Sequence, residues 1–428
     1  MSDRFLEAVV KECLIRECSE AEASLQTGVS LRAGLELGTP IKEYVNHVHL
    51  GVRVSMNGRL GSAIISTVEG LSAEAVAEIA IRSALANPIR HGLPRAFAVN
   101  QILPHNDARA GRGETSLNEA SEWIETEAEA VRQAFRCQLL SLMFGYERWQ
   151  FALCNSNEVH GCYTSALSHV AGFAQSSSTG HVHPTFFLCH RIMPGDSINS
   201  ALSDNDFAER LWYNSAKSVE DLKGRIKFSP MASAQFISLI THAFSGDNIL
   251  HKKSFLRKEQ IGKPLWSKSI SLIDDPVVVE GNLCLPFDAE GIPGERKYLV
   301  SKGAMVGALC DIAAQARLGH GKPGNSRRMP PDHTIRIAPS NLIMEIDGDQ
   351  AEDYDVYIGD LGAQSMVDLA TGVLSGMATG YRLRIDEKIP VMFPLGLHVG
   401  QMLANVFPAS EPVWIGSVCA PAFVTVIG

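Results

Sequence analysis

The run Gln235-Phe-Ile-Ser-Leu-Ile-Thr-His-Ala-Phe244 decides how the rest of this chain is interpreted. Its apolar residues recur at helical spacing, and Ser245-Gly246-Asp247 follows directly. Because a glycine just past a periodic run is a helix C-cap signal, the pattern predicts a helix that ends at Gly246. Further along come His251-Lys-Lys-Ser-Phe-Leu256, Gly262-Lys263 and Pro286-Phe-Asp-Ala-Glu-Gly291.

Composition limits the classes of protein that need consideration. A hydrophobic content of 45% with 20% charged residues is ordinary for a globular protein. The formal net charge of −9 argues against a large basic face, so no nucleic-acid partner is expected. No apolar run approaches the ~20 residues of a membrane span, and no signal peptide is recognised. The 9 cysteines include no CxxC pair, which favours reduced thiols and predicts a cytoplasmic protein.

The first half of the chain mixes helical and strand patterns. Residues Arg4 to Cys18 carry an amphipathic helical stripe, and Ala21 to about Ile65 alternates like an antiparallel meander with an Asn57-Gly58 hairpin turn. Ser72 is a plausible N-cap of a second helix, and Ser116-Leu-Asn-Glu119 is a capping box that opens a third. Strand patterns return from Cys137 to about Ile192.

The second half is richer in strand patterns. A helix is predicted from Asp204 to about Leu222 and another from Ala304 to Leu318, while residues from Thr334 onward read as strands with repeated glycine turns. The fold class predicted is α+β, with an N-terminal α/β two-layer domain over residues 1–224. A β-rich, largely antiparallel C-terminal domain is predicted over residues 225–428.

Several short motifs, in this order, resemble the TldD/PmbA family, which was once labelled modulators of DNA gyrase. They are Lys253-Ser-Phe-Leu256, Gly262-Lys263, Pro286-Phe-Asp-Ala-Glu-Gly291 and an arginine, Arg296, before a glycine-ended hairpin. Within the family they are most similar to the TldE (PmbA) branch. The order and spacing of the motifs make the resemblance specific.

The resemblance implies a metal site that this chain lacks. The TldD branch carries a helical His-Glu-x-x-x-His zinc motif, whose first two positions correspond here to Ile237 and Ser238, leaving only His242. A zinc peptidase needs three protein ligands and a carboxylate to accept a proton from the bound water. Cys419, near the C-terminus, lacks the glycine-rich context of the family's cysteine ligand. We therefore expect no catalytic residue and no metal in this chain.

Other histidine and glycine patterns have competing interpretations. His47-Val-His49 and His181-Val-His183 place two imidazoles on one strand face, which is either a partial metal site or a pair of hydrogen-bonded surface residues, the commoner case. Gly319-His-Gly-Lys-Pro-Gly324 matches a dinucleotide-binding pattern, but it follows a helix instead of a strand and is interpreted as a C-cap loop. His242 lies among apolar residues and is expected to be a hydrogen-bonded core histidine.

Charged residues supply the remaining substrate-binding or interface candidates, alongside His242. Asp288, Glu290 and Arg296, with Glu295, form either an acidic and basic groove or a hairpin held by an arginine–carboxylate pair. Arg327 and Arg328 are candidates for holding a substrate carboxylate, although a solvated loop is the simpler interpretation.

Two functional hypotheses remain. In the first, the chain is the non-catalytic, TldE-like subunit of a heterodimeric zinc metallopeptidase that hydrolyses a peptide or amide bond, with zinc and the general base supplied by a TldD-like partner. An extended peptide or amide is then the substrate, and maturation of a peptide or natural product is the expected process. In the second, the chain is a stand-alone homodimeric protein that binds or regulates a peptide or small molecule.

Overall fold

A computed structural model describes residues 3–67, 69–92, 96–99, 103, 115–176, 184–203, 206–329, 334–385 and 387–427. His181, His183 and Asp204 lie outside these ranges. Within them, every helix is too short or too polar to cross a lipid bilayer.

The first half of the chain forms one antiparallel sheet with helices packed on it. Its strand order is β3-β2-β1-β4-β5-β6. The elements are α1 (Asp3–Ile15), β1 (Glu20–Glu36), β2 (Thr39–Met56), β3 (Arg59–Ile65), α2 (Ala73–Ala86), α3 (Leu117–Phe135), β4 (Cys137–Asn155), β5 (His160–Ser176), β6 (Thr185–His190), α4 (Ile198–Ser203) and α5 (Phe207–Tyr213).

Alternation along β1 explains the layering. Leu25 and Leu31 lie an even number of residues apart and therefore on the same face. Leu25 belongs to a core formed with α1 and α2, and Leu31 to a core formed with α3. The opposite face of the sheet contacts the second half of the chain, as the Arg53–Glu290 ion pair shows. The two-layer arrangement predicted from sequence is confirmed.

Two tight hairpins join the first three strands. Leu37-Gly38 and Asn57-Gly58 all have positive φ, as the two central residues of a type I′ turn require. Glu36 pairs with Thr39 across the first turn, and Met56 pairs with Arg59 across the second. Strand β3 reaches only from Leu50 to Met56 of β2, so the outer half of β2 is a margin of the described sheet.

The second half of the chain forms two further sheets and a hairpin. Its elements are β7 (Ser218–Val219), β8 (Gly224–Phe228), α6 (Pro230–Thr241), α7 (Gly246–Leu250), β9 (Ile270–Asp274), β10 (Lys297–Ser301), β11 (Ala304–Met305), α8 (Ile312–Leu318), β12 (Ser326–Met329), β13 (Thr334–Ile337), β14 (Leu342–Ile346), β15 (Val356–Leu361), β16 (Met366–Asp368), β17 (Val373–Arg384), β18 (Glu387–His398), α9 (Val399–Met402), β19 (Val406–Pro408), β20 (Val413–Ile415), β21 (Val418–Ala420) and β22 (Phe423–Ile427).

Helix α6 lies between the two large sheets of this half. One sheet has the order β11-β10-β9-β14-β21-β20 and the other β19-β22-β8-β15-β17-β18-β7, with β16 paired to β17. Phe236, Ile237 and Ile240 of α6 are fully buried in the core between them. Most pairs are antiparallel, and the described parallel pairs are β14–β21, β15–β8 and β18–β7. The α+β fold class is therefore confirmed.

Two predicted helices are wrong in extent. The helix predicted from Asp204 to Leu222 ends at Tyr213 with α5, because Ser218–Val219 pair with β18 and Glu220 accepts hydrogen bonds from Arg382 and Arg384. The helix predicted from Ala304 begins only at Ile312, where the side chain of Asp311 caps it by accepting from the amide of Ala314. Ala304 instead pairs with Ser301 across a tight turn. Tertiary pairing overrides local helical preference in both places.

The proposed boundary after residue 224 falls inside the connection between the halves. Strand β7 already pairs with β18 of the second half, and β8 begins at Gly224. The division into residues 1–224 and 225–428 stays a prediction.

Candidate functional site

Helix α6 is fixed at its first turn by Ser229. The Ser229 hydroxyl accepts a hydrogen bond from the Ala232 amide at 3.0 Å and donates one to the Gly359 carbonyl oxygen at 2.9 Å. Pro230 occupies the first helical position, where its missing N–H costs nothing. The cap therefore ties the start of α6 to strand β15.

The end of α6 differs from the sequence prediction. The α-helix ends at Thr241, His242–Phe244 form one 3₁₀ turn, and Gly246 begins α7. Gly246 is not a C-cap, because the 3₁₀ turn continues the chain directly into the next helix. An added Cβ at Gly246 would lie 3.0–3.1 Å from atoms of Leu309, Cys310 and Ala314, so a larger residue here would have to displace these neighbours.

The motif positions on α6 point in different directions. Ile237 is 1% exposed and belongs to the core. Ser238 is exposed, and its hydroxyl donates to the Ala234 carbonyl oxygen at 2.9 Å. His242 is also exposed, so the expectation of a core histidine is wrong: the 3₁₀ turn carries its side chain away from the apolar face.

These residues do not fit a zinc ion. Val418 and Ala420 of β21 pack in the core with α6, so alternation places Cys419 on the opposite face of its strand, where Glu345 and Glu280 influence it electrostatically. Burial raises the pKa of the Cys419 thiol to about 11, which opposes formation of the thiolate that a metal requires. No group of three histidine, cysteine or acidic residues among the described residues could hold a metal.

A buried ion cluster joins the two halves of the chain. Arg53 on β2 donates to both carboxylate oxygens of Glu22, at 2.9 and 3.1 Å, and to Glu290 at 2.8 Å. Burial opposes the charged form of Arg53, but Glu22 and Glu290 more than offset it and raise its pKa. Glu290 also accepts from the Ser326 hydroxyl at 2.7 Å and the Ile312 amide at 3.0 Å.

Asp288 fixes the loop that carries Glu290. Its carboxylate accepts from the amides of Glu290 and Ile292 at 2.9 Å and from the amide of Ser326 at 3.0 Å. Burial and the charge of Glu290 raise the pKa of Asp288 above its ordinary value, against the lowering effect of Arg327 and these hydrogen bonds. Asp288 and Glu290 are only 2% and 4% exposed. Both therefore lie in the buried junction between the two halves and not at the solvent-exposed surface.

The three arginine candidates separate from one another. Arg296 pairs with Glu345 at 3.0 Å and makes no described hydrogen bond to Asp288 or Glu290. The carboxylate partner of Arg296 is therefore outside the group of Asp288, Glu290 and Glu295 that the sequence suggested. Arg327 and Arg328 lie in β12, which corrects the solvated-loop interpretation. Arg327 donates to the Ser340 hydroxyl at 2.5 Å, and Arg328 lies against Gly51 of β2, where burial lowers its pKa to about 10.

The geometry of α6, its sheets and the loop around Glu290 has a counterpart among known domains. Residues 223–424 match the PmbA/TldA metallopeptidase C-terminal domain. Residues 223–424 are therefore a PmbA/TldD-type domain. The resemblance predicted from the motifs is thereby confirmed, while assignment to a branch without the zinc motif stays a prediction.

Known proteins are similar to this chain over the whole fold and over parts of the sequence. TldE from Thermococcus kodakarensis has a TM-score of 0.82 at 17% identity, over 98% of each chain, which shows the fold. An uncharacterised protein of Methanocaldococcus jannaschii is 25% identical over 47% of this chain and 49% of its own length. A metalloprotease PmbA homologue of Buchnera aphidicola is 26% identical over 42% of this chain and 38% of its own length. The matched segments therefore span about half or less of these two relatives.

Other candidate residues from the sequence have structural roles. His47 hydrogen-bonds the Ser30 hydroxyl at 2.7 Å and packs on Trp149 with ring centroids 4.8 Å apart, as expected of a hydrogen-bonded surface residue. His181 and His183 lie outside the described residues. Gly319 adopts positive φ as the C-cap of α8, which confirms the loop interpretation of the glycine pattern.

Sequence reasoning missed the partners that join the halves. Glu22 and Arg53 share their face of the sheet with polar residues such as Ser24 and Gln26, so the alternation along these strands gave no signal that this face is buried. Arg210 on α5, 3% exposed, pairs with Asp360 of β15 at 3.0 Å. Asp360 also accepts from Gln235 of α6 at 2.9 Å, which links α6 to the first half.

Proposed function

We propose that this chain is the non-catalytic, TldE-like subunit of a heterodimeric zinc metallopeptidase. The TldD-like partner carries the His-Glu-x-x-x-His helix, holds the zinc and provides the general base. This chain completes the assembly and walls one side of the space in which a peptide or amide bond is hydrolysed. The assembly works in the cytoplasm, on an extended peptide or a natural-product precursor.

One observation carries the proposal: the helix that holds the metal in the TldD branch is retained here as a structural core element. Ile237, at the first ligand position, is buried beneath two sheets, and Ser238, at the carboxylate position, is a hydroxyl bonded to its own helix. The fold is kept around a helix without ligands, which favours a role in supporting an active partner.

Support also comes from the family. The matched domain is described as a metallopeptidase domain, and the Buchnera relative is named a metalloprotease homologue. A peptide is therefore the substrate class that the proposal adopts.

Co-purification with metal analysis tests the proposal. Purified alone, the chain should bind no stoichiometric zinc and cleave no peptide. Co-expressed with a His-Glu-x-x-x-His relative from the same genome, it should form a 1:1 complex that contains zinc and hydrolyses casein-derived peptides.

Two outcomes contradict the proposal. Stoichiometric zinc and peptidase activity in the isolated chain would make it an enzyme by itself. A stable homodimer that ignores the His-Glu-x-x-x-His relative and binds a ligand would favour the stand-alone binding protein.

A further inference from the structure

A cavity of about 320 Å³ lies beside β3, between the first sheet and the hairpin of β12 and β13. Arg53, Ser62 and Ile64 line it from the sheet, and Arg328 and Ile335 line it from the hairpin. Its volume is at the lower end of the ~300–1,000 Å³ of small-molecule sites. The cavity therefore has room for a small ligand or for one end of a longer molecule.

Strand register explains why these side chains meet at one place. Gly51 and Arg53 lie two residues apart and therefore on the same face of β2. Their partners on β3 are Ile64 and Ser62, which belong to the same face. Arg328 reaches this face from β12 and lies over Gly51. Two strand pairs of the first sheet and one residue of the second half thus form a single wall of the cavity.

Gly51 makes room for the guanidinium of Arg328. An added Cβ at Gly51 would lie 2.7–2.8 Å from the Cζ, Nη1 and Nη2 atoms of Arg328. A larger residue at position 51 would have to displace these atoms. Ile335, the cross-strand partner of Arg328, lies beside it on the hairpin. The glycine therefore allows a cation to lie flat on β2, next to an apolar side chain.

The positive charge of Arg328 is only partly balanced by the protein. Burial lowers the pKa of Arg328 to about 10, and the charge of Arg53 acts in the same direction. Glu22 and Glu290 oppose this effect without cancelling it, and both accept hydrogen bonds from Arg53 at 2.8–3.1 Å. An anion in the cavity would therefore stabilise the charged form of Arg328.

The uncharged lining of the cavity indicates which anion fits. Leu60, Ile64 and Ile335 give it apolar surface close to the guanidinium, and its lining contains no aspartate or glutamate among the residues that the structure describes. A guanidinium binds a carboxylate through two parallel N–H donors. Its five donors allow Arg328 to bind a carboxylate and a protein group together. A carboxylate with an aliphatic group beside it is what the last residue of a peptide presents.

We propose that this cavity binds the C-terminal carboxylate of a peptide whose last residue is aliphatic, with Arg328 holding the carboxylate and Ile64 and Ile335 contacting the side chain. The inference rests on the proposed function only for the origin of the peptide, which is a substrate or product of the heterodimer. The binding itself needs neither zinc nor the partner.

Fluorescence anisotropy with the full-length chain tests the site. The probe is a fluorescein-labelled pentapeptide that ends in two leucines and a free carboxylate, and its matched control is the same peptide with a C-terminal amide. The wild-type chain should bind the carboxylate probe about tenfold or more tightly than the amide, because the amide cannot form the charge-assisted pair. Replacing the two leucines of the carboxylate probe by glycines should also weaken binding.

Variants of the cavity and of the surface separate this site from general charge attraction. Arg328→Met should lower the affinity for the carboxylate probe about tenfold, to that of the amide probe. Arg82→Met, at a side chain that is 76% exposed on α2, makes the same change in net charge and should bind within about twofold of the wild type.

A second variant supplies the carboxylate from the chain itself. Ile335→Glu places a carboxylate in the cross-strand position beside Arg328 and should also remove the preference for the carboxylate probe. Circular dichroism checks that all three variants fold.

Three results would overturn the site: no binding of the carboxylate probe by the wild-type chain, equal binding of the carboxylate and amide probes, or an unchanged preference in Arg328→Met. Displacement of the probe by inorganic phosphate as readily as by unlabelled peptide would also overturn it, in favour of a general anion site. Failure of the site leaves the zinc and co-purification tests untouched, so the two proposals fail separately.

Discussion

Arg53 and Arg32 lie on the same face of the same sheet, but their ion pairs differ in burial. The Arg53 side chain is 17% exposed and its partners Glu22 and Glu290 are 1% and 5% exposed. The Arg32 and Glu43 side chains are 56% and 51% exposed. Water screens the second pair and not the first, so the two arginines should contribute very differently to stability.

Replacing Arg53 by methionine should destabilise the protein by about 3–5 kcal/mol, because two carboxylates are left buried without their counter-charge. Urea unfolding followed by circular dichroism measures the loss. Arg32→Met is the matched control and should cost about 1 kcal/mol or less. Similar losses for both variants would show that the junction does not depend on the Arg53 cluster.

Asp311 should make stability depend on pH. Burial, and after it the charge of Glu290, raises the pKa of Asp311 from 3.8 to about 6. The folded protein therefore keeps a proton that the unfolded chain releases between about pH 4 and 6. The stability from this proton is fully present below pH ~4 and is lost as the pH rises through 6.

Asp311→Asn should remove this pH dependence and keep the helix cap, because asparagine also accepts the Ala314 amide. Relative to the wild type, the variant should gain on the order of 1–2 kcal/mol between pH 4 and pH 7, measured by urea unfolding at each pH. Asp368→Asn is the control of opposite sign: hydrogen bonds lower the pKa of Asp368, so its contribution is lost as the pH falls. A parallel pH profile for Asp311→Asn and the wild type would refute the assignment.

Residue patterns predicted local roles better than long-range partners. The Ser116 capping box and the Ser72 cap were predictable because donor and acceptor lie within one turn. The Arg53–Glu290 contact joins residues 237 positions apart, and no local pattern encodes such a pair. The exposure of His242 was missed because helical periodicity was extended one turn too far.

At the scale of the element, α6 shows how a helix can be kept without its ligands. Its apolar residues Phe236, Ile237 and Ile240 serve two sheets at once, so the face at Ile237 is fixed by packing. Ser238, one residue along the helix, meets solvent. Restoring the family's ligands at these two positions should therefore have unequal effects.

Ile237→His should destabilise the protein by about 2–5 kcal/mol, because an imidazole replaces a packed aliphatic side chain. Ser238→Glu, on the exposed side, should change stability by about 0.5 kcal/mol or less. Neither variant nor the double variant should bind zinc at stoichiometric level by atomic absorption. Zinc bound by the double variant would show that the helix retains the orientation of a metal site.

Element boundaries were predictable only where the turn residues themselves gave a strong signal. The Asn57-Gly58 hairpin was predictable from two residues whose backbone suits a tight turn. The short α8 was not, since Ala304 is drawn into pairing by the Lys302-Gly303 turn before it.

At the scale of the whole molecule, an aromatic wedge supplements the ion cluster. The side chain of Phe287, in the second half of the chain, packs against Phe151 and Tyr163 of the first sheet. Its ring centroid lies 6.0 Å from that of Phe151 and 4.9 Å from that of Tyr163. It is completely buried. Because the wedge and the Arg53 cluster both join the two halves, we expect the halves to unfold as one unit.

Phe287→Ala should cost about 3–5 kcal/mol, since the ring leaves a cavity at the junction. In differential scanning calorimetry we expect one transition for the wild type and two for the variant. Phe173→Ala, at a ring that is 41% exposed, is the control and should keep the single transition. One transition in both variants would mean that the junction does not set cooperativity.

The placement of β8 between β22 and β15 has a consequence for synthesis on the ribosome. Residues 224–228 wait for residues 423–427, about 200 positions later, before their antiparallel partner exists. At ~5–20 residues per second the nascent strand spends roughly 10–40 seconds with that side unpaired. The first sheet can fold in that interval. The nascent chain is then a partly folded intermediate in which β8 has an unpaired edge, and chaperones protect intermediates of this kind from aggregation.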